Sequence, residues 1–152
     1  MSYIHIFLGG LVMSIAVLYH SVSANTKKVA EAMAEAIGCI AQPIKEYPLD
    51  SSVDLMFIGG AIYGGKLDPV LDSFLQALTP EKAKRVVLFS TCVKEAKALG
   101  LMQERLQRKG IAVDKNSFSC KGKFLFLNLR HPNTAELEEA KAFAKSVIAK
   151  QP

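Results

Sequence analysis

Three short stretches of the chain concentrate side chains suited to chemistry. The stretch "SVSANT" places hydroxyls at Ser21, Ser23 and Thr26 and an amide at Asn25 directly ahead of a helical pattern. Hydroxyls and the unpaired N–H groups that open a helix together make a cradle for an anion such as a phosphate, without a lysine in the loop. One side chain would suffice for a helix cap, so the cluster reads as a phosphate site. The second stretch, "GAIYGGKL", has Gly60, Gly65 and Lys66 at the spacing of a triphosphate-binding loop. Such a loop needs Ser or Thr after its lysine to hold magnesium and runs straight into a helix. Here Leu67 follows Lys66, and Asp68 and Pro69 postpone the helix, so the triphosphate reading fails. What remains is Tyr63 beside Gly64 and Gly65, a flat ring at a strand end next to backbone free to change its peptide orientation. The third stretch, "STCV" at 90–93, ends an apolar run.

The other reactive residue types form no site. Cys39, Cys92 and Cys120 are an odd number at wide spacing, which suits neither a disulfide framework nor a paired-cysteine zinc site. Cys120 lies beside Lys121 and near Lys123, and neighbouring cations favour a thiolate, yet nothing places a base next to it. The cysteines therefore read as small buried hydrophobes, with no catalytic residue and no metal expected among the His, Cys and acidic residues.

The elements that must position these stretches alternate along the chain. "SIAVLY" at 14–19, residues 54–58 and "RVVLFS" at 85–90 are continuous apolar runs, the pattern of strands covered on both faces. Between them, Val29, Met33 and Ile37 recur at helical spacing up to Gly38, Pro69 stands at a favourable first helical position, and "KEAKALGLMQERLQRKG" reads as a third helix ending at Gly110. "CIAQPI" is expected to be an edge strand because Pro43 cannot donate to a ladder. "IAVDKNSFSC" and "KFLFLNL" read as strand material with alternating core side chains, in preference to the alternative that "KFLFLNLRHP" covers one side of the strand-end pocket and turns Phe124, Phe126 and Arg130 to a partner or substrate; residues 133–150 read as a closing helix capped by Asn133 or Thr134. This order implies an α/β fold with a doubly wound parallel sheet. Ligands then lie at the carboxyl ends of the strands, which is where residues 20–26, 59–67 and 90–95 fall.

A chain of 152 residues, half of them hydrophobic, has the size and composition of one domain with its own core. Residues 1–12 are apolar but too short to span a bilayer and lack the features of a secretory signal. A second methionine, Met13, opens the first strand run, so residues 1–12 read as an extension and 13–152 as the domain. The formal charge is +5 and the pI about 9.1. The lysines are dispersed rather than gathered into a basic run, so nucleic acid is not an expected partner. No membrane insertion is expected, and reduced cysteines point to a cytoplasmic setting.

The sequence "IAVLYHSVSANTKKVAEAMAEAI" resembles the phosphate-loop signature of flavodoxins, and "DLMFIGGAIYGGKLDPVLDSFL" is similar to their second loop. The likeness runs from about Met13 to the final helix. It implies a five-stranded, three-layer α/β/α sandwich that binds FMN. By that resemblance Ser21, Val22, Ser23, Ala24, Asn25 and Thr26 wrap the phosphate. Ala61, Ile62 and Tyr63 border the flavin ring, with Tyr63 stacking and Gly64 near the flavin N5. Ser90, Thr91, Cys92 and Val93 offer backbone groups to the pyrimidine edge.

Three features depart from the family pattern. The third loop, "STCVKEAKALG", has no aromatic to cover the outer flavin face. Ala24 stands where glycine is more usual, which is expected to alter the backbone of the turn. The chain is basic where electron-shuttling flavodoxins are acidic, and Lys66 and Lys94 flank the expected pocket. Positive groups within ~8–10 Å favour the anionic reduced flavin and raise its potential. The expected function is FMN-based electron transfer with a redox partner protein. The alternatives are an FMN-dependent oxidoreductase acting on a quinone- or tetrapyrrole-like substrate across an open flavin face, and a flavin-free interaction module of the same fold.

Overall fold

The computed structural model describes residues 3–151. Along the chain run β1 (Ile4–Leu8), β2 (Leu11–Tyr19), α1 (Asn25–Ile37), β3 (Gln42–Pro43), β4 (Val53–Gly60), β5 (Ile62–Tyr63), β6 (Lys66–Leu67), α2 (Pro69–Ala77), β7 (Ala83–Cys92), α3 (Lys97–Gln107), β8 (Phe118–Lys121) and α4 (Thr134–Ala149). The five strands β3, β2, β4, β7 and β8 pair in that order, and every pairing among them is parallel.

Side chains of the apolar strands alternate between two cores because successive residues of a strand point to opposite faces. Ala16, Leu18, Met56, Ile58, Val86 and Leu88 meet Leu71, Phe74 and Leu75 of α2 and Ala98, Met102 and Leu106 of α3. Ile15, Val17, Leu55, Phe57, Val87 and Phe89 meet Val29 and Met33 of α1 and Ala140, Ala144 and Val147 of α4. Two buried faces explain why these strands carry no polar alternation, and they make the three-layer α/β/α sandwich that the alternation of strands and helices implied. The helix boundaries follow local chemistry. Asp68 caps α2 by accepting from the Val70 N–H at 2.8 Å, with Pro69 at the first helical position. Asn133 and Glu136 form a reciprocal capping box on α4, and Gly38 ends α1 in the left-handed conformation.

Two segments differ from the sequence expectation. Residues 1–12 were expected to precede the domain; among the described ones, Ile4–Leu8 pairs antiparallel with Leu11–Ile15 as part of the sheet. The turn between the two strands is Gly9–Gly10, both at positive φ, as a two-residue hairpin requires. One edge of β2 is therefore shared. β1 covers its first half, while the two residues of β3 pair only with Leu18 and Tyr19. The second difference lies near the other edge. Of the expected strand material at 111–129, Val113 makes an isolated bridge to Val86, Phe118–Lys121 forms β8, and residues 123–129 lie outside the sheet. "KFLFLNL" alternates no side chains into the core. It is an exposed turn, because Leu125 and Asn128 adopt positive φ and the backbone folds back on itself between Phe124 and Leu127.

Candidate functional site

The carboxyl ends of β2, β4 and β7 open onto one cleft of about 550 Å³, a volume suited to a small-molecule ligand. Of the residues predicted from sequence, Ser23, Asn25, Ala61, Ile62, Tyr63, Gly64, Thr91, Cys92 and Val93 line it.

The loop at 20–24 reaches α1 without a side-chain cap, and no acidic residue stands in the first turn of the helix. Lys28 N–H is the first to bond back, to Ala24 O at 3.1 Å, so the amides before it face the loop free of intrahelical partners. Ala24 itself adopts φ 65°, ψ 0°. The alanine thus takes the left-handed conformation that a glycine favours. Asn25, instead of capping the helix, donates from Nδ2 to Ser23 Oγ at 3.0 Å and to Lys123 O at 2.8 Å. The Ser21 hydroxyl is buried and has no hydrogen-bond partner among the described residues. An orphaned hydroxyl, an uncapped helix terminus and the absence of a carboxylate are together the conditions for holding an anion.

The other residues of the predicted set, Ser21 and Ala24 among them, lie outside the cleft wall. Thr26 is buried beneath the loop, its Oγ1 2.9 Å from Thr91 Oγ1. Ser90 is fully buried in the sheet, and its hydroxyl donates to Thr91 O at 3.3 Å. The Val22 side chain points to solvent.

The glycines of "GGAIYGGKL" divide into two jobs. Added Cβ atoms at Gly59 and Gly60 would collide with the Phe89 ring and with Leu71, respectively, so these two glycines let the strand end pack against both cores. Gly64 and Gly65 have φ 60° and 77° and form the two-residue turn of the hairpin that pairs Ile62 with Leu67 and Tyr63 with Lys66. The hairpin holds Tyr63, which is partly exposed, against the cleft. At its foot, His20 Nε2 approaches Asp68 Oδ1 at 3.0 Å without hydrogen-bond alignment. Burial pushes the Asp68 carboxyl up, but the Val70 N–H and the His20 imidazole outweigh it and hold the group below the usual carboxylate range.

The last wall comes from residues that local sequence reasoning did not assign to the site: Gly122, Lys123 and Phe124. The third loop has no aromatic, yet Phe124 supplies a second one from a different part of the chain. Gly122 permits this approach, since a Cβ there would stand 2.9 Å from Asn25 Nδ2 and 3.2 Å from Thr91 Cβ. The signal in the sequence was the place of "KFLFLNLRHP" before the last helix, where a segment can cover one side of the pocket; the glycine of "CKGKFLF" acquires meaning only beside Asn25.

Lys94, Lys97 and Lys123 line the cleft against a single acid, Glu95, so its mouth is positive. Lys66 lies in the hairpin next to Tyr63 but outside the wall. The lysines near Cys120 do not lower its pKa. Burial, followed by the charge of Glu136, pushes the thiol up to about 12. Burial also raises Cys92, with Glu136 adding to the effect, and takes Cys39 to about 11. All three thiols stay protonated near neutrality. Among the described residues no cluster of three or more potential metal ligands occurs, and no helix is long and apolar enough to cross a membrane.

Residues 16–129 match the family model described as Flavodoxin domain. The chain is 27% identical over 149 residues to an uncharacterized protein of Methanocaldococcus jannaschii, covering 90% of this chain and 99% of that one. Among solved structures it resembles oxidised Flavodoxin 1 from Bacillus cereus, with a TM-score of 0.71 and 20% identity over 91% of this chain and 99% of that chain. A flavodoxin from the domain Archaea superposes with a TM-score of 0.67 at 20% identity, covering 90% of this chain and 96% of that one.

Proposed function

The chain belongs to the flavodoxin-domain family, and on that premise we propose that it binds FMN in the cleft and carries electrons to or from a redox partner protein, as an electron carrier rather than a stand-alone oxidoreductase. One observation carries the reading. The uncapped start of α1 reaches, through Ser23 and Asn25, the same cleft that Tyr63, Thr91, Cys92 and Val93 line. An anion cradle contiguous with an aromatic-walled slot fits a ligand with a phosphate at one end and a flat ring at the other.

The residues divide the work of binding. The free amides at the start of α1 and the hydroxyls of Ser21 and Ser23 hold the phosphate. Tyr63 and Phe124 offer aromatic faces to the ring, and the backbone of 91–93 meets its polar edge. Bound flavin supplies the redox chemistry; the protein orients it, limits its contact with water and sets the local charge. Lys94, Lys97 and Lys123 lower the cost of a negative charge inside the cleft. A reducing cytoplasm suits the three protonated thiols.

The test is to purify the protein with excess FMN and follow its visible spectrum through stepwise reduction. Retention of flavin with separate one-electron steps is the expected result for a carrier. A single two-electron conversion favours oxidoreductase chemistry on a bound substrate, and failure to retain FMN leaves the flavin-free module.

A further inference from the structure

The turn beyond β8 displays an apolar tip that the fold does not use. Phe126 is 90% exposed and Leu125 71%, and Leu127 and Leu129 are exposed beside them. Monomeric proteins seldom spend consecutive large apolar side chains on solvent, and here the backbone prevents them from folding inward. Phe124 and Leu127 exchange N–H···O bonds of 3.0 and 2.8 Å, leaving Leu125 and Phe126 as a two-residue tip. Below it, the Asn128 side chain donates to Val93 O at 3.1 Å and to Gly122 O at 3.3 Å, and Lys123 N–H donates to His131 O at 3.1 Å. The tip is thus held outward by a hydrogen-bonded base. Exposed cations flank it in sequence, Lys121 and Lys123 on one side and Arg130 on the other, with no acidic residue between 115 and 135.

We propose that this tip docks the protein on an anionic lipid surface, Leu125 and Phe126 entering the interfacial region while Lys121 and Arg130 meet the headgroups. Charge and shape argue for this occupant. A second copy of a chain with net charge +5 would bring cations against cations. A rigid protein surface would need a hollow matched to a convex tip, whereas a lipid interface yields to it and anionic headgroups supply the opposite charge. The contact is peripheral and needs no spanning segment. It is independent of the flavin reading, because the tip residues lie outside the cleft wall.

Sedimentation with phosphatidylcholine vesicles containing 30–40% phosphatidylserine (roughly the anionic fraction that gives a strong surface potential) tests it on the full chain. Wild-type protein should co-sediment at low salt and be released as salt rises. The double substitution Leu125→Asn, Phe126→Ser should reduce the bound-to-free ratio at least tenfold with an unchanged melting temperature. Asn tolerates the positive φ of Leu125, and both side chains are already in solvent, so folding is preserved. Lys121→Gln with Arg130→Gln should weaken binding and reduce its salt dependence. Absence of wild-type binding overturns the proposal and leaves an acidic protein surface as the occupant. Equal binding by wild type and the tip variant also overturns it, since attachment would then run through the general basic surface.

Discussion

Asn25 Nδ2 lies 2.8 Å from the carbonyl oxygen of Lys123, 98 residues away in sequence. The same amide donates to Ser23 Oγ, so one side chain joins the phosphate-loop candidate to the wall that brings Phe124 to the cleft. Asn25→Ala should therefore damage both ends of the site at once. Losing two partly buried hydrogen bonds of ~1 kcal/mol each predicts FMN binding weakened by up to roughly 30-fold, measured by fluorescence titration. Wild-type affinity in this variant would separate the two loops functionally.

Tyr63 and Phe124 are the aromatic side chains in the cleft wall. Each is expected to quench bound-flavin fluorescence and contribute ~0.5–1.5 kcal/mol through ring contact. Tyr63→Ala and Phe124→Ala should each brighten the bound flavin and shift its potentials. Unchanged emission in one variant assigns stacking to the other ring alone.

Ala24 adopts φ 65°, a conformation costing an L-residue ~1–2 kcal/mol. Ala24→Gly removes that strain but adds ~0.4–1 kcal/mol of unfolded-chain entropy. The net expectation is a gain between zero and ~1.6 kcal/mol, seen as a melting temperature raised by up to roughly 3–6 °C. A fall in melting temperature would show that the strain at Ala24 is smaller than the entropy term.

Charge at the cleft mouth should set the potential. At a separation of roughly 9 Å and an effective dielectric near 40, one unit charge contributes ~1 kcal/mol. Lys94→Glu should lower the potential for full reduction by tens of millivolts, an effect diminishing with salt. Potentiometric titration at two ionic strengths provides the check.

Acid should unfold the protein through its depressed carboxylates. The Lys84 ammonium and the Ser14 N–H and hydroxyl hold Asp54 below its usual range against burial. For Glu136, burial raises the carboxyl, but the Asn133 N–H and His131 outweigh it. Asp68 is lowered as well. A lowered folded pKa means that the unfolded chain binds more protons, so the stabilisation is complete above the unfolded values near ~4 and is lost as pH falls through the folded ones. Asp54→Asn should flatten this acid limb and cost about 1 kcal/mol at neutral pH, measured by denaturant melts between pH 7 and pH 2.

The sequence by itself determined the layers and the end of the sheet at which the cleft opens. Runs such as Ile15–Tyr19 and Leu55–Ile58 are apolar at every position, and only a strand buried on both faces needs that. The polar turn at 21–26 and Tyr63 were legible because they follow such strands directly, where local chemistry and chain order coincide. Tertiary structure decided what depended on distant partners. Thr26 turned out to face Thr91, Ser90 lay inside the sheet, and Cys120 was buried away from the cations beside it in sequence. Ile4–Leu8 joined the sheet because the first half of β2 presented an open edge of N–H and C=O groups. Phe124 reached the cleft because Gly122 has no Cβ to displace Asn25. That contact spans nearly a hundred residues, and no periodicity within either segment records it.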